Sequence, residues 1–562
     1  MPEDSKKTDL PDDNFLDDAM SDVVQTSARS IPVRDKPRGL KAKVEDLWKN
    51  PKKRKMLIAS IACAVLILFA VPHSRYFVLN NIGVRSSASI KILDQSTGQP
   101  LKNVSVKLRD QQATTDNTGV AKLNHLKLGQ SKLEIQKRAF AVNEKNITVG
   151  WGSNPLGDLQ IKPVGLQYSF DVSDFLSGKP IDKVEALSGE FSAFSNSEGR
   201  VVLTIEDPGE EAVEITIKAK NYRDEVIIQS TENKSAQKIS MVPDRKHLFV
   251  SKRSGKYDVY KIDVDGKNEQ LVMSGTGNER EDMTLVSHSN KDIAVLVSTR
   301  ENVRNRDGFL LSTITLIDMT SDGVQTSSLG TSEKVQIVGW SGDYLVYVKI
   351  GAGESAESPD RHRLVTYNYE TGESKEIAKS NFFNDVLLVD DAIYYAPSNA
   401  YQTVQTGLYK VKANGENNTK IFDQEVWNIF RIDYNTINFS VNEDWYEFSV
   451  DDGRVLALSG PPPVQVTRIY LDNLNKQQSL WIDQRDGKGA LIAYDTGKKE
   501  ERTVISQSGL VYPARWMNDT TIVYRISTDQ EIADYVINLE GGEAKKIKDV
   551  TNTGGVDRWY FY

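Results

Sequence analysis

From residue 84 onward, apolar and polar residues alternate with a period of two in short runs such as "ASIKIL", "VSVKL" and "EITIKA". Clusters of Gly, Pro, Asn and Asp separate the runs. This is the pattern of half-buried strands joined by tight turns, and it predicts a mainly β protein. One segment breaks it. "MLIASIACAVLILFAV", Met56 to Val71, is the most apolar run of the chain, carries no charge, and is followed by Pro72 and the aromatic pair Tyr76 and Phe77. At about 1.5 Å per residue, sixteen helical residues span roughly 24 Å, so flanking residues must complete a membrane crossing.

The charges around that run give it a direction. Ten Lys or Arg lie between residues 34 and 55, ending in Lys52, Lys53, Arg54 and Lys55, against three acids. Only Arg75, Arg85 and Lys91 follow between 72 and 93. By the positive-inside rule the expectation is a signal-anchor over 56–78, with residues 1–55 cytoplasmic and everything beyond on the outer side of a prokaryotic cell membrane. The first part of the tail, "PEDSKKTDLPDDNFLDDAMSD", has the composition of disorder. In "GLKAKVEDLWKN", Leu40, Val44, Leu47 and Trp48 share one helical face, which suits a juxtamembrane amphipathic helix as well as it suits a solvated stub.

Two repeats organise the remainder. In the first, "DQSTGQPLKNVSV" from Asp94 matches "DFLSGKPIDKVEA" from Asp174, "TTDNTGVAKL" matches "FSNSEGRVVL", and "LQIKP" matches "ISMVP". The offset is 80 residues each time. The expectation is two sandwiches, 84–163 and 164–243. The order of strand, "TG-x-PL-x-x-V", strand, "T-D-x-x-G", strand resembles the carboxypeptidase regulatory-like domain, a transthyretin-like sandwich of seven strands. The second copy departs at Asn196, which replaces the Asp and keeps the turn chemistry. That resemblance implies spacer, adhesion or folding modules without catalytic residues.

The second repeat fills 244–562. "VYKIDVDGKNEQLV" has six later counterparts, among them "LVTYNYETGESKEIA" and "DYVINLEGGEAKKI", each a strand, a turn closing on glycine and a second strand. The glycines are Gly266, Gly323, Gly372, Gly415, Gly453, Gly497 and Gly541, about 46 residues apart. Seven units of that length predict a seven-bladed β-propeller. Two further strands precede most hairpins, such as "VQVTRIYL" and "SLWIDQ" in the sixth unit. The "Y-x-x-D-x-x-(x)-G" hairpins resemble propellers of the TolB type and those that precede the hydrolase domain of prolyl oligopeptidase-like enzymes. The full expectation is two small β-sandwich domains and a seven-bladed β-propeller, preceded by one transmembrane helix.

Charge and candidate chemistry refine this reading. A net charge of -8 supplies no basic field, so no nucleic-acid partner is expected. Asp263, Asp265 and Gly266 look like the start of a calcium loop, but its fifth, sixth and twelfth positions hold Lys267, Asn268 and Ser274. Those residues cannot complete an EF-hand, so no metal is expected there. The lone Cys63 excludes an intrachain disulfide, and the five histidines are scattered. No G-x-S-x-G, Walker or Rossmann fingerprint occurs, so no catalytic residue and no cofactor is assigned.

Loops between the second and third strands of the blades open on one face, and several are long. They bring Arg304 and Arg306, then Arg361, His362 and Arg363, then Tyr401, as candidate ligand-binding residues. The function expected is an extracellular binding or scaffolding protein that holds a propeller on a two-domain stalk for a protein, peptide or glycan. Its other partner is the lipid bilayer, through residues 56–71. Two alternatives stay open: an enzyme or enzyme accessory related to peptidases or glycan hydrolases that uses the propeller channel, and a transmembrane sensor.

The first unit supplies three strands, and "VDRWYFY" follows the last strand of the seventh. A terminal strand completing blade one would remove two sheet edges. Deleting Trp559 to Tyr562 is therefore expected to lower the thermal unfolding temperature of the propeller, and unchanged unfolding would remove the closure.

Overall fold

The computed structural model describes residues 51–232, 235–320, 323–398 and 405–553. They are mainly β, with two helices among them, and form two compact units. Of the described residues, the smaller comprises 51–86 with 127–129 and 148–151, and the larger contains the others.

In the smaller unit, α1 spans Pro51–Ala70 and α2 spans Pro72–Asn81. Val71 between them is extended, with φ -88° and ψ 117°, as expected of a residue that precedes proline. Here the structure departs from the expected single crossing helix. The first turn of α1 carries Lys52, Lys53, Arg54 and Lys55, Pro72 interrupts the apolar run at its far end, and no helix among the described residues is long and apolar enough to cross a membrane. Asn80 ties the end of α2 down by donating to the Leu128 carbonyl at 3.1 Å and accepting the Leu128 N–H at 2.8 Å. The cytoplasmic-tail expectations for 1–50 lie outside the described residues.

In the larger unit, each half of the 80-residue repeat builds the same two sheets. In the second copy, Leu166–Asp174 lies between Arg200–Ile205 and Gln237–Met241 in a three-stranded sheet. A four-stranded sheet of Phe191–Phe194, Glu185–Ser188, Ala212–Lys218 and Glu225–Ser230 faces it. The first copy repeats this order strand for strand, and in both the first and last strands pair in parallel. Phe170, Val172, Val201, Leu203, Ile215 and Ile217 fill the space between the sheets of the second copy.

The motif residues meet across this architecture. Gly119 and Gly199 both have positive φ, and a Cβ on either would strike the carbonyl of Ile92 or Val172 and the ring of Pro100 or Pro180. The "T-D-x-x-G" glycine is thus the residue against which the "TG-x-P" turn closes. Asn196 accepts the N–H of Glu198 and Arg200 as Asp116 accepts those of Thr118 and Val120, so the substitution preserves the turn.

Residues 247–549 form seven successive antiparallel sheets, the meander of a β-propeller. Blade one (247–273) has three strands, and blades two to seven (284–332, 335–380, 383–422, 427–458, 471–507, 510–549) have four each. Apolar clusters join neighbours: Leu296 packs with blade one, Tyr347 with blade two, Phe383 with blade three, and Phe439 with blade four. Trp516 packs with blade six, and Met517, Val523 and Val536 of blade seven share a cluster with Phe249 and Ile262 of blade one. The terminal strand expected to complete blade one lies outside the described residues, and the sheet of blade one is not closed within them.

Two sequence expectations need correction. Of "VQVTRIYL" only its last residue pairs as a strand, in the two-residue Leu471–Asp472. The Tyr512 hydroxyl enters between the two chains, donating to the Ile469 carbonyl at 3.1 Å and accepting the Ile482 N–H at 3.0 Å, while Arg468 N–H turns to the Arg431 carbonyl of blade five. In the sixth hairpin the left-handed position belongs to Lys499, φ 58°, rather than Gly497.

A belt of polar contacts runs around the hairpins that join the first and second strands. His288 donates to the Gly342 carbonyl, Ser341 to that of Asp390, Tyr434 contacts Asp390 and Asp472, and Asn473 donates to the Asp519 carbonyl. Blade one has no such hairpin, and Arg245 takes its place. Its guanidinium donates to the carbonyls of Trp516 and Met517 in blade seven, to those of Ser289 and Lys291 in blade two, and to Asp292. Arg245→Ala leaves those carbonyls without a donor and is expected to cost about 1–3 kcal/mol in denaturant unfolding. Arg245→Lys should recover little, because an ammonium cannot present a planar fork of five donors. A lysine variant as stable as the parent would refute the bridging role.

Candidate binding face of the propeller

Successive turns of a meander lie at opposite ends, so the blades present two different faces. One carries the hairpins between first and second strands and between third and fourth strands. The second sandwich is docked on that face at blades seven and one. Leu176 enters the cluster formed by Phe249, Ile262 and Met517. The Lys545 ammonium donates to the Phe175 carbonyl at 2.6 Å and lies 3.8 Å from the centre of the Phe175 ring. Gly542, at φ 100°, permits this approach, because a Cβ there would come within 2.2 Å of the Leu176 carbonyl oxygen.

The would-be calcium loop is the polar half of the same contact. Asp263 is 0% exposed and accepts hydrogen bonds from Arg223 and Lys246, and from Asn268 at 2.7 Å. Arg223 also reaches Asp265 at 3.1 Å and Glu225 at 2.6 Å. Burial pushes the Asp263 carboxyl up, but its hydrogen bonds with Lys246, Arg223 and Asn268 outweigh this and hold it below the ordinary carboxylate value. Gly266, φ 78°, closes the turn, with its N–H on the Asp263 carbonyl. Among the described residues no group of three or more His, Cys, Asp or Glu could hold a metal ion.

The opposite face carries the loops between second and third strands, where the candidate residues lie. Arg304 ends the strand Ile293–Arg304, donates to the Gly308 carbonyl at 2.8 Å and is half exposed. Arg306 is exposed beside it, and Phe309 is 60% exposed. Arg361 and Arg363 stand in the neighbouring blade, engaged with carboxylates. Arg361 lies 3.8 Å from Glu333 and donates to the Glu354 carbonyl, and Arg363 pairs with Glu354 at 3.0 Å and Glu376 at 3.2 Å. Asn305 donates to Glu333 at 2.8 Å, which joins the two loops.

His362 does not belong to this surface. It is buried, and its Nδ1 meets the Asn381 carbonyl. Burial, only partly offset by that hydrogen bond, pushes its pKa down to about 4. Tyr401 lies outside the described residues. Asn381, which sequence reasoning missed, fixes the 351–361 loop by donating to the carbonyls of Ala356 and Ser358, both at 2.8 Å. Gly351 lets the Arg363 and Glu354 side chains pack against the backbone, since a Cβ would sit 2.6 Å from Arg363 Nε and displace them. The outcome is a stiffened acidic and basic loop beside a hairpin that offers two cations and an aromatic ring to solvent.

A buried His–Asp pair also occurs, at the seam of blades seven and one. His247 Nε2 lies 2.7 Å from Asp534 Oδ2, and Arg525 donates to both oxygens of Asp534 at 2.7 and 3.0 Å. Although burial pushes Asp534 up, its hydrogen bond with His247 and the Arg525 charge hold it at about 2. All three side chains are buried, so the cluster is a tie between blades.

No protein-family model matches the chain, and no curated protein matches it. Solved structures similar to it include a β-propeller domain. The manganese complex of oligogalacturonate lyase is 13% identical over 52% of this chain and 86% of that one, with a TM-score of 0.33. The β-propeller domain of the trilobed protease from Pyrococcus furiosus, with its open velcro topology, is 14% identical over 60% and 95%, TM-score 0.33. TolB from Acinetobacter baumannii is 11% identical over 53% and 77%, TM-score 0.27.

His288 and His362 give the fold a pH signature. Burial pushes His288 down to about 4 as well; its Nε2–H donates to Gly342 and its Nδ1 accepts the N–H of Asn290 and Lys291. Unfolded histidine titrates near 6.5, so between these values the unfolded chain binds more protons. Their contribution is complete above about pH 6.5 and is lost as pH falls toward 4, at about 1.4 kcal/mol per pH unit for each histidine. Substituting both by Gln should flatten the fall in unfolding temperature between pH 6.5 and 4.5. An unaltered slope would contradict the assignment.

Proposed function

We propose that this chain is a membrane-anchored binding protein whose propeller presents the loop face of blades two and three to a macromolecular partner outside the cell. One observation carries the reading: the second sandwich occupies the hairpin face at blades seven and one, while Arg304, Arg306 and Phe309 stand exposed on the other face beside a loop stiffened by Asn381. Rigid loops with a few exposed cations and an aromatic ring suit recognition of a folded surface, because little side-chain order is lost on binding. The acidic and polar character that complements them points to a protein, peptide or acidic glycan.

Anchoring is the second part of the proposal. Met56, Ile58, Ile61 and Leu66 of α1 are exposed, so apolar side chains project around this helix and would be covered by hydrocarbon. The basic first turn fits anionic headgroups on the cytoplasmic side, and residues beyond Val71 would complete the passage. The paired sandwiches then serve as carboxypeptidase regulatory-like spacers, and the reading includes no enzymatic step.

The test separates surface from scaffold. Arg361 and Arg363 hold their own loop together, so the informative variant of the 84–562 ectodomain is R304A/R306A/F309A. Partners captured by the parent from cell-surface extracts should lose at least about tenfold in affinity with this variant, as expected for removal of an exposed anchor cluster. A variant at Lys267 on the hairpin face should bind as the parent does. Equal binding by all three proteins would exclude this face.

A further inference from the structure

We infer that the far end of the smaller unit is a lipid-interface surface, in which Trp151, Phe77 and Ile82 enter the headgroup layer of an anionic bilayer while Arg85 and Lys127 meet its phosphates. The inference rests on the anchoring reading above, in which α1 enters the bilayer, and adds a second attachment at the end of α2. Three short segments build the surface. Val71 is extended and Pro72 starts α2, so α2 is a helix separate from α1. Asn80 holds the Leu128 backbone N–H and carbonyl, which brings Lys127 to the end of α2. The Arg85 guanidinium donates to the carbonyls of Asn80 and Val84 at 3.0 and 2.8 Å, and the Ser86 hydroxyl donates to the Gly150 carbonyl at 2.8 Å. Trp151 follows directly, so hydrogen bonds gather Ile82, Arg85, Lys127 and Trp151 around one helix end.

Exposure, charge and position each point to lipid. Trp151 is 77% exposed, Phe77 70% and Ile82 69%, and α2 has no buried residue. A tryptophan is among the more covered residues of a folded protein, whereas aromatic rings collect where a bilayer meets water, because one part of the ring is apolar and the rest can face polar groups. The described residues of the unit contain no Asp or Glu, in a chain that has 78, while Arg75, Arg85 and Lys127 lie beyond α1. An acid-free surface meets no repulsion from anionic headgroups, and each cation on it is attracted to them. Phe77 lies seven residues past Ala70, the last residue of α1, or roughly 10 Å at about 1.5 Å per helical residue. The bilayer that receives α1 is therefore within reach of this surface.

Nitroxide labels on the full chain, reconstituted into vesicles of phosphatidylglycerol and phosphatidylcholine, read the depth of each position. The native Cys63 of α1 reports on the anchor, and Ile82→Cys, Trp151→Cys and, as an exposed propeller control, Asp529→Cys are labelled separately in a Cys63→Ser background. Labels at 82 and 151 should lose most of their collisions with a water-soluble nickel chelate and keep those with oxygen, while the label at 529 keeps both. In vesicles of phosphatidylcholine alone, the chelate collisions at 82 and 151 should partly return. Collisions at 82 and 151 equal to those at 529, with Cys63 shielded, would overturn the inference and leave the anchoring reading standing. Equal collisions at all four positions would remove the anchoring as well. Shielding that is the same in both lipid compositions would overturn the assignment to anionic headgroups, and dipolar broadening between labels at 151 would assign the surface to a second copy and overturn the inference too.

Discussion

The seam between blade seven and blade one is the constraint on which the rest of the propeller depends. Six blades bring their own inner hairpin, and through it blades two to seven touch one another in succession. Blade one does not, and the linker arginine Arg245 spans the gap with one planar group that donates to carbonyls on both sides. The Arg525–Asp534–His247 cluster and the apolar cluster around Phe249 and Met517 reinforce the same junction. His247, Arg525 and Asp534 are buried and Arg245 is partly so, and a buried donor or acceptor left without a partner is costly, so the seam behaves as a unit.

The seam also explains where the second sandwich sits. Leu176, Phe175 and Arg223 engage blades seven and one, the two blades that meet there, so the sandwich covers the junction. Binding this domain to the hairpin face commits the acids of the "DVDG" turn to Arg223 and Lys246. It leaves the opposite loops of blades two and three clear of that contact. Orientation, rather than any single reactive group, is what this architecture contributes to function.

Much of this was legible in the sequence because strands and turns are local. Alternation placed the strands, the offset of 80 placed the two sandwiches, and the glycines marked the blades. What stayed hidden depends on groups far apart in the chain. Nothing local marks "VQVTRIYL" as a strand to be split, since the wedge is Tyr512 of the next blade. Arg361 and Arg363 read as free cations because Glu333, Glu354 and Glu376 become their partners only in the folded blade. His362 read as a loop residue because strand alternation, which turns it inward, depends on where the strand begins. Two signals were available: an acidic pair at Asp263 and Asp265 that cannot bind calcium needs another cation, and a missing inner strand needs a substitute bridge.

The central claim is that the second sandwich and the seam of the propeller open together. Hydrogen exchange on the full chain carrying Ile215→Ala, a cavity in the core of the second sandwich remote from the interface contacts, tests it most directly. The account predicts faster exchange both in the sandwich strands and in blades seven and one, with blades three to five unchanged. Acceleration confined to the sandwich would contradict it.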